Sequence, residues 1–168
     1  MLDRICEIPY RIKNILIILF EGKMRLTRAG EYGVRCILFL SGSGQGKVVG
    51  RKEIAKAMEI PDQFLGKIAQ QLARSGFIEI IQGARGGYRL LVSPEKITLL
   101  DVVEAVTGEI FLNDCVMRPD SCFRSPTCSI HRVWEKAREQ LRENLREATF
   151  ARMLKEETCV SPLIPSKQ

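Results

Sequence analysis

The sequence predicts a mainly α-helical fold with one small β-hairpin and a long helix towards the C-terminus. Two short helical stretches, residues 50–58 and 61–76, are joined by a turn that contains a proline. Two runs of strand-forming residues, 77–81 and 88–92, follow directly and enclose a glycine-rich turn. Helical periodicity then extends over residues 129–156. These observations predict a winged helix-turn-helix domain that is followed by a long C-terminal helix.

The domain begins with a helix that Thr27 can cap. Its apolar face includes Tyr32, Cys36 and residues 38–40, and the glycine- and serine-rich stretch 41–46 ends it as a flexible loop. We expect Cys36 to be a core residue, because it lies on this apolar face.

The second and third helices form the helix-turn-helix pair. Residues 60–62 make the turn, Pro61 suits the first position of the third helix, and Gly76 ends that helix. The second helix is short and has an exposed basic face. That face carries Arg51, Lys52 and Lys56.

The hairpin encloses residues 82–87, which contain three glycines that permit positive φ angles and close approach of the backbone to a partner. Serving the turn is part of the use of Gly83, Gly86 and Gly87. Arg85 lies at the tip and has no evident role inside the fold. In a winged helix the third helix lies in the major groove of DNA, and the wing reaches phosphates or the minor groove.

Two further helices follow the wing. Residues 97–108 form a capped helix with a broad apolar face that ends at a glycine. Residues 129–156 read as a single long amphipathic helix with charged pairs at a spacing of three residues on its other face: Glu135–Arg138, Glu139–Arg142 and Glu143–Arg146. The apolar face contains Ile130, Trp134, Ala137, Leu141, Leu145 and Ala148.

The rest of the chain has no segment left to cover that apolar face, so we expect the long helix to form a homodimer. A dimer also supplies the two-fold symmetry that a palindromic DNA site requires. The alternative is that the helix packs on the winged helix of its own chain.

Three cysteines and the only histidine lie close together in the sequence: Cys115, Cys122, Cys128 and His131. Thiolates and imidazole suit zinc, copper and iron–sulfur clusters, and the surrounding prolines, serines and aspartates are typical of a loop in which side chains can converge. A disulfide-linked or merely cysteine-containing loop is the alternative. We favour a metal centre because thiols stay reduced in the cytoplasm, where we expect the protein to act.

The cytoplasmic expectation comes from the N-terminus, where residues 12–20 form the only strongly apolar run. The run is too short to span a membrane, and no small-residue cleavage site follows it. Residues 1–23 therefore read as an N-terminal extension, and Met24 is a candidate for the natural start.

The positive charge of the chain is concentrated in one segment. Residues 24–93 contain 11 Lys and Arg residues against 5 Asp and Glu residues, which accounts for the whole net charge of +6. A basic balance that is confined to one domain indicates nucleic-acid binding, although a solvated basic surface without a ligand is also common.

Several motifs resemble the Rrf2 family of bacterial winged-helix regulators. They are MRLTRAGEYGVR at 24–35, the wing GARGGYRL at 83–90, ITLLDVVEAVTG at 97–108 and the three-cysteine segment. The resemblance covers about Met24 to Leu154. The family includes a regulator of iron–sulfur cluster assembly, a nitric-oxide-sensing repressor, an iron-responsive regulator and a cysteine-metabolism repressor without a cluster.

The resemblance implies a homodimer that binds an iron–sulfur cluster in each subunit, a two-iron, two-sulfur cluster (2Fe-2S) in preference to a four-iron, four-sulfur cluster (4Fe-4S). Cys115, Cys122 and Cys128 match the three cysteine ligands of the family, although six residues rather than five separate the first two. His131 matches the histidine that completes the set in the assembly-regulator branch. Glu31 matches the acidic ligand that the nitric-oxide branch takes from the other subunit, and it is the alternative fourth ligand.

For DNA we expect contacts from the third helix, from the start of the domain and from the wing. Base contacts are expected from Gln63, Phe64, Lys67 and Gln70, with Phe64 equally suited to the core. Phosphate contacts are expected from Arg25, Thr27 and Lys52, and wing contacts from Gln82 and Arg85.

The sequence thus divides into an extension (1–23), a winged helix-turn-helix domain (24–93), a connecting helix (94–109), a cluster-binding loop (110–130), a dimerisation helix (129–156) and a flexible tail (157–168). We expect a transcriptional repressor that a cluster controls in response to iron–sulfur, redox or nitric oxide status. The alternative is a zinc-stabilised or cluster-free regulator of cysteine or sulfur metabolism. No enzymatic activity is expected, because the sequence has no Ser-His-Asp order, phosphate-binding loop or paired acid–base motif.

Overall fold

The computed structural model of the chain describes residues 27–156, which form a helix-rich domain with a small antiparallel sheet. The mainly α-helical prediction is confirmed. The extension, Arg25 and the tail lie outside the described residues. The helices and strands are α1 (Arg28–Ser43), β1 (Val48–Val49), α2 (Arg51–Ala57), α3 (Asp62–Arg74), β2 (Ile78–Ile81), β3 (Gly87–Leu90), α4 (Leu99–Thr107), α5 (Asp114–Met117), α6 (Ser129–Glu147) and α7 (Phe150–Lys155).

Helix α1 begins and ends as its sequence predicts. The Thr27 hydroxyl accepts a hydrogen bond from the Gly30 N–H at 3.2 Å, which satisfies a free donor of the first turn. Gly44 follows the helix with a φ of 103°, a conformation that glycine adopts without strain. Cys36, Ile37 and Phe39 are fully or almost fully buried, so α1 lies in the centre of the core.

Helices α2 and α3 form the predicted helix-turn-helix pair. The turn between them is closed by a hydrogen bond from the Ile60 N–H to the Ala55 carbonyl oxygen at 2.9 Å, and Pro61 precedes α3. Leu65, Ile68 and Leu72 of α3 recur at helical spacing and are buried. One face of α3 is therefore fixed in the core, and the opposite face is left on the surface.

The wing contains three strands rather than the two of the predicted hairpin. The strand order is β1-β3-β2 with antiparallel pairing, and Val49 of β1 lies opposite Tyr88 of β3. Strand β1 is not predicted by the sequence, because two residues show no periodicity and only pairing with β3 defines them as a strand.

Helix α4 occupies a central position between the winged helix and the C-terminal helices. It begins with a capping box in which the Thr98 hydroxyl accepts from the Asp101 N–H at 3.2 Å and the Thr98 N–H donates to the Asp101 carboxylate at 2.9 Å. Val102 and Val106 are buried in the same core as α1. A Cβ atom at Gly33 of α1 would come within 2.8 Å of Val106, so the two helices approach closely.

The prediction of one continuous helix over residues 129–156 is wrong. Helix α6 ends at Glu147, and α7 starts at Phe150 with Thr149 as its N-cap. Ala148 accepts a hydrogen bond from the Leu99 N–H at 2.8 Å, and the Phe150 N–H donates to the Ile97 carbonyl oxygen at 3.0 Å. These contacts pair the break with the residues before α4, and Phe150 enters the core fully buried.

The charged pairs predicted along this helix are also only partly observed. Glu143 pairs with Arg146, but Arg142 reaches across to Glu104 of α4 and Arg138 to Glu109, just after α4. None of the helices within residues 27–156 combines the length and apolar character that a membrane crossing requires.

Candidate metal centre and DNA interface

The cysteine segment is a chain of short turns between α4 and α6. It contains α5 and two turns of 3-10 helix, Pro119–Ser121 and Ser125–Thr127. Val116 is buried and anchors α5 on the domain. All three thiols, Cys115, Cys122 and Cys128, are free and half-buried.

His131 lies at the centre of the contacts that this segment makes. Its side chain is on the first turn of α6 and only 7% of the residue is exposed. Ring atom Nδ1 lies 3.4 Å from the Cys115 sulfur, and the His131 backbone N–H donates to the Cys128 sulfur at 3.4 Å. The other ring nitrogen, Nε2, lies 3.4 Å from a Glu135 carboxylate oxygen.

The structure thus brings the Cys115 sulfur to the His131 ring and the Cys128 sulfur to the His131 backbone N–H. The contacts described do not include the Cys122 side chain, and within residues 27–156 no three His, Cys, Asp or Glu side chains are grouped closely enough to hold a metal ion. The donor chemistry still suits a soft metal centre, since three free thiols and an almost buried imidazole are the ligand types of zinc and iron–sulfur sites.

Glu31, the alternative ligand, is engaged within its own helix. Its carboxylate forms an ion pair with Arg35, four residues along α1. Arg35 in turn donates to the Met58 carbonyl oxygen at 3.1 Å. This carboxylate therefore has a structural partner in its own chain.

Four charged side chains attach the first residues of the cysteine segment to α4 and α6, and we call them the α4–α6 ion-pair cluster: Glu104, Glu109, Arg138 and Arg142. They also hold Ile110, which follows α4. Its N–H donates to Glu104 at 3.0 Å, and its carbonyl oxygen accepts from Arg138 at 2.8 Å. A movement of the cysteine segment would therefore act directly on α4.

Helix α4 also contacts the third helix of the helix-turn-helix pair. The Gln71 side chain of α3 donates to the Val106 carbonyl oxygen at 3.1 Å, at the end of α4 that precedes the cysteine segment. The residues described thus form a continuous physical connection from His131 through α6 and α4 to α3.

The exposed face of α3 carries the side chains that the sequence predicts for DNA. Gln63, Lys67 and Gln70 are exposed. Phe64 is 47% exposed, and its ring centroid lies 6.3 Å from that of Tyr32, so it is a surface residue that packs on α1. The other predicted contacts within the described residues are exposed as well: Thr27, Lys52, Gln82 and Arg85.

The wing glycines serve the fold in two different ways. Gly83 has a φ of 105°, which favours glycine. A Cβ atom at Gly87 would overlap the Val49 carbonyl oxygen of β1, and one at Gly86 would overlap the Ile81 carbonyl oxygen. Gly86 and Gly87 are therefore required for close packing of the chain on itself, and Arg85, directly before them, is exposed at the tip.

The contact that Arg51 makes with α3 is not predicted by the sequence. Arg51 was expected on the exposed basic face of α2, but its guanidinium group pairs with Asp62 of α3. The signal in the sequence was Gly66, because a glycine inside a helix often marks a close approach by another group.

The fold and the exposed basic surface define a winged helix-turn-helix DNA-binding protein with an attached cysteine segment. A family model described as "Rrf2: Iron-dependent Transcriptional regulator" matches residues 26–156. The chain belongs to the Rrf2 family, and it is a transcriptional regulator rather than an enzyme.

Proteins similar to this chain match most of its length. The HTH-type transcriptional regulator NsrR of Geobacillus kaustophilus is 30% identical over 146 residues, which are 86% of this chain and 99% of that protein. The solved structure of T. potens IscR shares the fold with a TM-score of 0.63 at 24% identity, covering 86% of this chain and 94% of that one. The oxidized form of Staphylococcus aureus CymR has a TM-score of 0.58 at 26% identity, covering 76% and 93%.

Proposed function

We propose that the protein is a homodimeric repressor whose affinity for its DNA operator is controlled by an iron–sulfur cluster. Cys115, Cys122, Cys128 and His131 would hold the cluster. The observation that carries the proposal is the contact of an almost buried His131 with the Cys115 and Cys128 sulfurs at the start of α6.

The choice of His131 over Glu31 as the fourth ligand rests on their surroundings. The imidazole already lies beside one cysteine sulfur at 3.4 Å, whereas the Glu31 carboxylate is paired with Arg35. The resemblance to the assembly-regulator branch favours the same choice.

The chain's own contacts suggest how the state of the cysteine segment reaches the DNA. A bound cluster would tie the thiolates of the segment together and provide a centre that responds to iron–sulfur supply, oxidants or nitric oxide. Residues 110–128 connect α4 to α6, and the α4–α6 ion-pair cluster fixes their start. Gln71 then links α4 to α3, so a rearrangement of the segment changes how α3 is presented.

The DNA contacts are proposed to come from the exposed face of α3, the wing and the ends of two helices. Gln63, Phe64, Lys67 and Gln70 would contact bases in the major groove, with Gln82 and Arg85 on the wing. Phosphates would be contacted by Arg25, Thr27 and Lys52.

Dimer formation is proposed through the outer face of α6. Ile130 and Val133 are each 63% exposed, and Leu141 is 36% exposed. Exposed apolar residues that recur along one long helix are typical of an interface. We therefore infer that a second copy of the chain covers this face.

A zinc-stabilised or cluster-free regulator of sulfur metabolism is the second candidate. The likeness to CymR favours it. A second reason is that the contacts around His131, among the described residues, do not include the Cys122 side chain. Three cysteines and one histidine are also a structural zinc set.

The test is to prepare the full chain without air and to measure iron, acid-labile sulfide, zinc and visible absorbance. DNA from upstream of its own gene is then titrated with the protein as isolated and after treatment with a chelator. We expect iron and sulfide in the isolated protein and a difference in DNA affinity between the two forms. A colourless protein that contains zinc supports the second candidate.

Serine variants at positions 115, 122 and 128 complete the test, with Cys36→Ala as the matched control. Loss of iron and of the affinity difference is expected for Cys115→Ser, Cys122→Ser and Cys128→Ser. The control removes a thiol that is fully buried in the core and should keep both. Retention of iron by the three serine variants would contradict the proposal.

A further inference from the structure

Arg51 joins the first turns of the two helices of the helix-turn-helix pair. It is the first residue of α2, and Asp62 is the first residue of α3. Its Nη2 atom donates to the carbonyl oxygen of Asp62 at 2.6 Å and to the Oδ2 atom of the same residue at 2.6 Å. The two side chains are partly exposed, at 42% for Arg51 and 59% for Asp62, so solvent screens their charges and the contact fixes geometry more than it adds stability.

The guanidinium group also lies directly on α3 at Gly66. A Cβ atom at Gly66 would be 3.2 Å from Nη2 and 3.3 Å from Cζ of Arg51, closer than most such contacts. Glycine is unfavourable inside a helix relative to alanine, and at this position it leaves room for the guanidinium group. The Arg51 Nε atom is buried without a hydrogen-bond partner among the residues described, while the side chain as a whole is partly exposed.

The positive charge of Arg51 also acts on the wing. Burial raises the pKa of Tyr88 in β3, and the positive charge of Arg51 opposes that rise. The direct contacts of this side chain join α2 to α3.

We propose that Arg51 is a positioning residue for DNA recognition. Through Asp62 and Gly66 it fixes α3 relative to α2, and so it determines how strongly the protein prefers its operator over other DNA. The inference rests on the DNA contacts proposed above for α3, where Gln63 follows Asp62 and Lys67 follows Gly66. Contacts to base edges depend on small displacements of the helix that carries them.

A direct phosphate contact is the competing role for this arginine. Arg51 and Asp62 together carry no net charge, whereas the neighbouring Lys52 is exposed and makes no ion pair within residues 27–156. Lys52 is therefore the better phosphate ligand of the two, and it provides a matched control at the next position in the sequence.

The test compares Arg51→Ala with Lys52→Ala, two variants with the same change in charge. The full-length protein is titrated with the site that the wild type selects from a random duplex library and with a scrambled duplex, each over a series of salt concentrations. For Lys52→Ala we expect similar weakening on both duplexes, and a salt slope that is smaller by about 0.9. For Arg51→Ala we expect the preference for the selected site to fall about ten-fold with an unchanged slope.

Variants of Asp62 separate positioning from charge. Asp62→Ala removes a negative charge near the DNA, so it should bind the scrambled duplex more tightly and yet lose preference for the selected site. Asp62→Asn keeps an oxygen acceptor for Arg51 and should retain most of the preference. Both variants leave Arg51 in place, and thermal unfolding establishes that they are folded.

Two results would overturn the inference while leaving the proposed function intact. One is an Arg51→Ala variant whose salt slope falls as that of Lys52→Ala does and which keeps the wild-type preference for the selected site. The other is an Asp62→Ala variant with the preference of the wild type. A wild-type protein that selects no site at all would overturn both the inference and the proposed function.

Discussion

Cys36 differs from the cysteines of the 115–128 segment in its surroundings. It is fully buried in α1, while the other three described thiols are half-buried. Burial raises the pKa of Cys36 to about 12, from an ordinary value of 9.0, because the core cannot solvate a thiolate. A thiol in this environment is unreactive, which fits the core role that its position on an apolar helix face predicts.

The Cys36 thiol predicts a specific loss of stability at alkaline pH. Above pH 9.0 the unfolded chain releases this proton and the folded chain does not, so the free energy of unfolding falls as pH rises towards about 12. The contribution is about 1.4 kcal/mol per pH unit. Urea unfolding of the wild type and of Cys36→Ala should show a difference in stability that changes across this range, and a constant difference would contradict the prediction.

Phe150 is the residue that most clearly ties the C-terminal helices to the winged helix. It is fully buried in the core that α1, α3 and β3 also form. We expect Phe150→Ala to lower the free energy of unfolding by about 3–5 kcal/mol, because it leaves a large cavity. Phe123 is 87% exposed, so Phe123→Ala is the matched control and should change stability by less than about 0.5 kcal/mol. Equal effects in urea unfolding would show that Phe150 is not a core residue.

At the scale of elements, α4 is the helix that connects the others. It packs on α1 through Val106 and Gly33, accepts a hydrogen bond from α3, and pairs with α6 through the α4–α6 ion-pair cluster. It also directly precedes the cysteine segment. For this reason α4 rather than α6 is the element through which we expect the segment to act on DNA binding.

The Glu104–Arg142 pair allows this connection to be measured. Both side chains are mostly covered, at 22% and 17% exposed, whereas Glu143 and Arg146 form a pair on the open surface of α6. A double-mutant cycle with Glu104→Gln and Arg142→Gln should give a coupling energy of about 1 kcal/mol or more. The same cycle at Glu143 and Arg146 should give about 0.3 kcal/mol, because solvent screens an exposed pair.

The same variants also test the path to the DNA. Glu104→Gln should reduce the difference in DNA affinity between the isolated and chelator-treated protein, since it removes the charge that pairs α4 with Arg142 of α6. An unchanged difference would show that the cysteine segment acts by another route.

At the scale of the whole molecule, the outer face of α6 is the surface through which we propose that two chains form a dimer. We expect Ile130→Glu combined with Val133→Glu to produce a folded monomer in sedimentation equilibrium, because both side chains are 63% exposed in one chain and would be buried in a dimer. Leu91→Glu is the control, since Leu91 is an exposed apolar residue beside the wing. A wild-type protein that is itself monomeric would contradict the proposed dimer.

The sequence by itself determined the elements whose signals are local. Thr27 predicted the start of α1, Pro61 predicted the start of α3, and glycines predicted helix ends. The spacing of the cysteines and His131 predicted a common site, because neighbouring residues in a loop of turns lie close together.

The tertiary structure decided what depends on residues that are distant in the chain. The break between α6 and α7 coincides with hydrogen bonds to residues 97–99 and with burial of Phe150 in the core. The apolar periodicity of residues 129–156 gives no sign of either contact. Strand β1 exists only through its pairing with β3, and Arg51 is a link between helices only because Asp62 and Gly66 face it. Local sequence patterns indicate the secondary structure that a segment prefers. These other features depend on the free energy of contacts between distant segments, which form only as the chain folds.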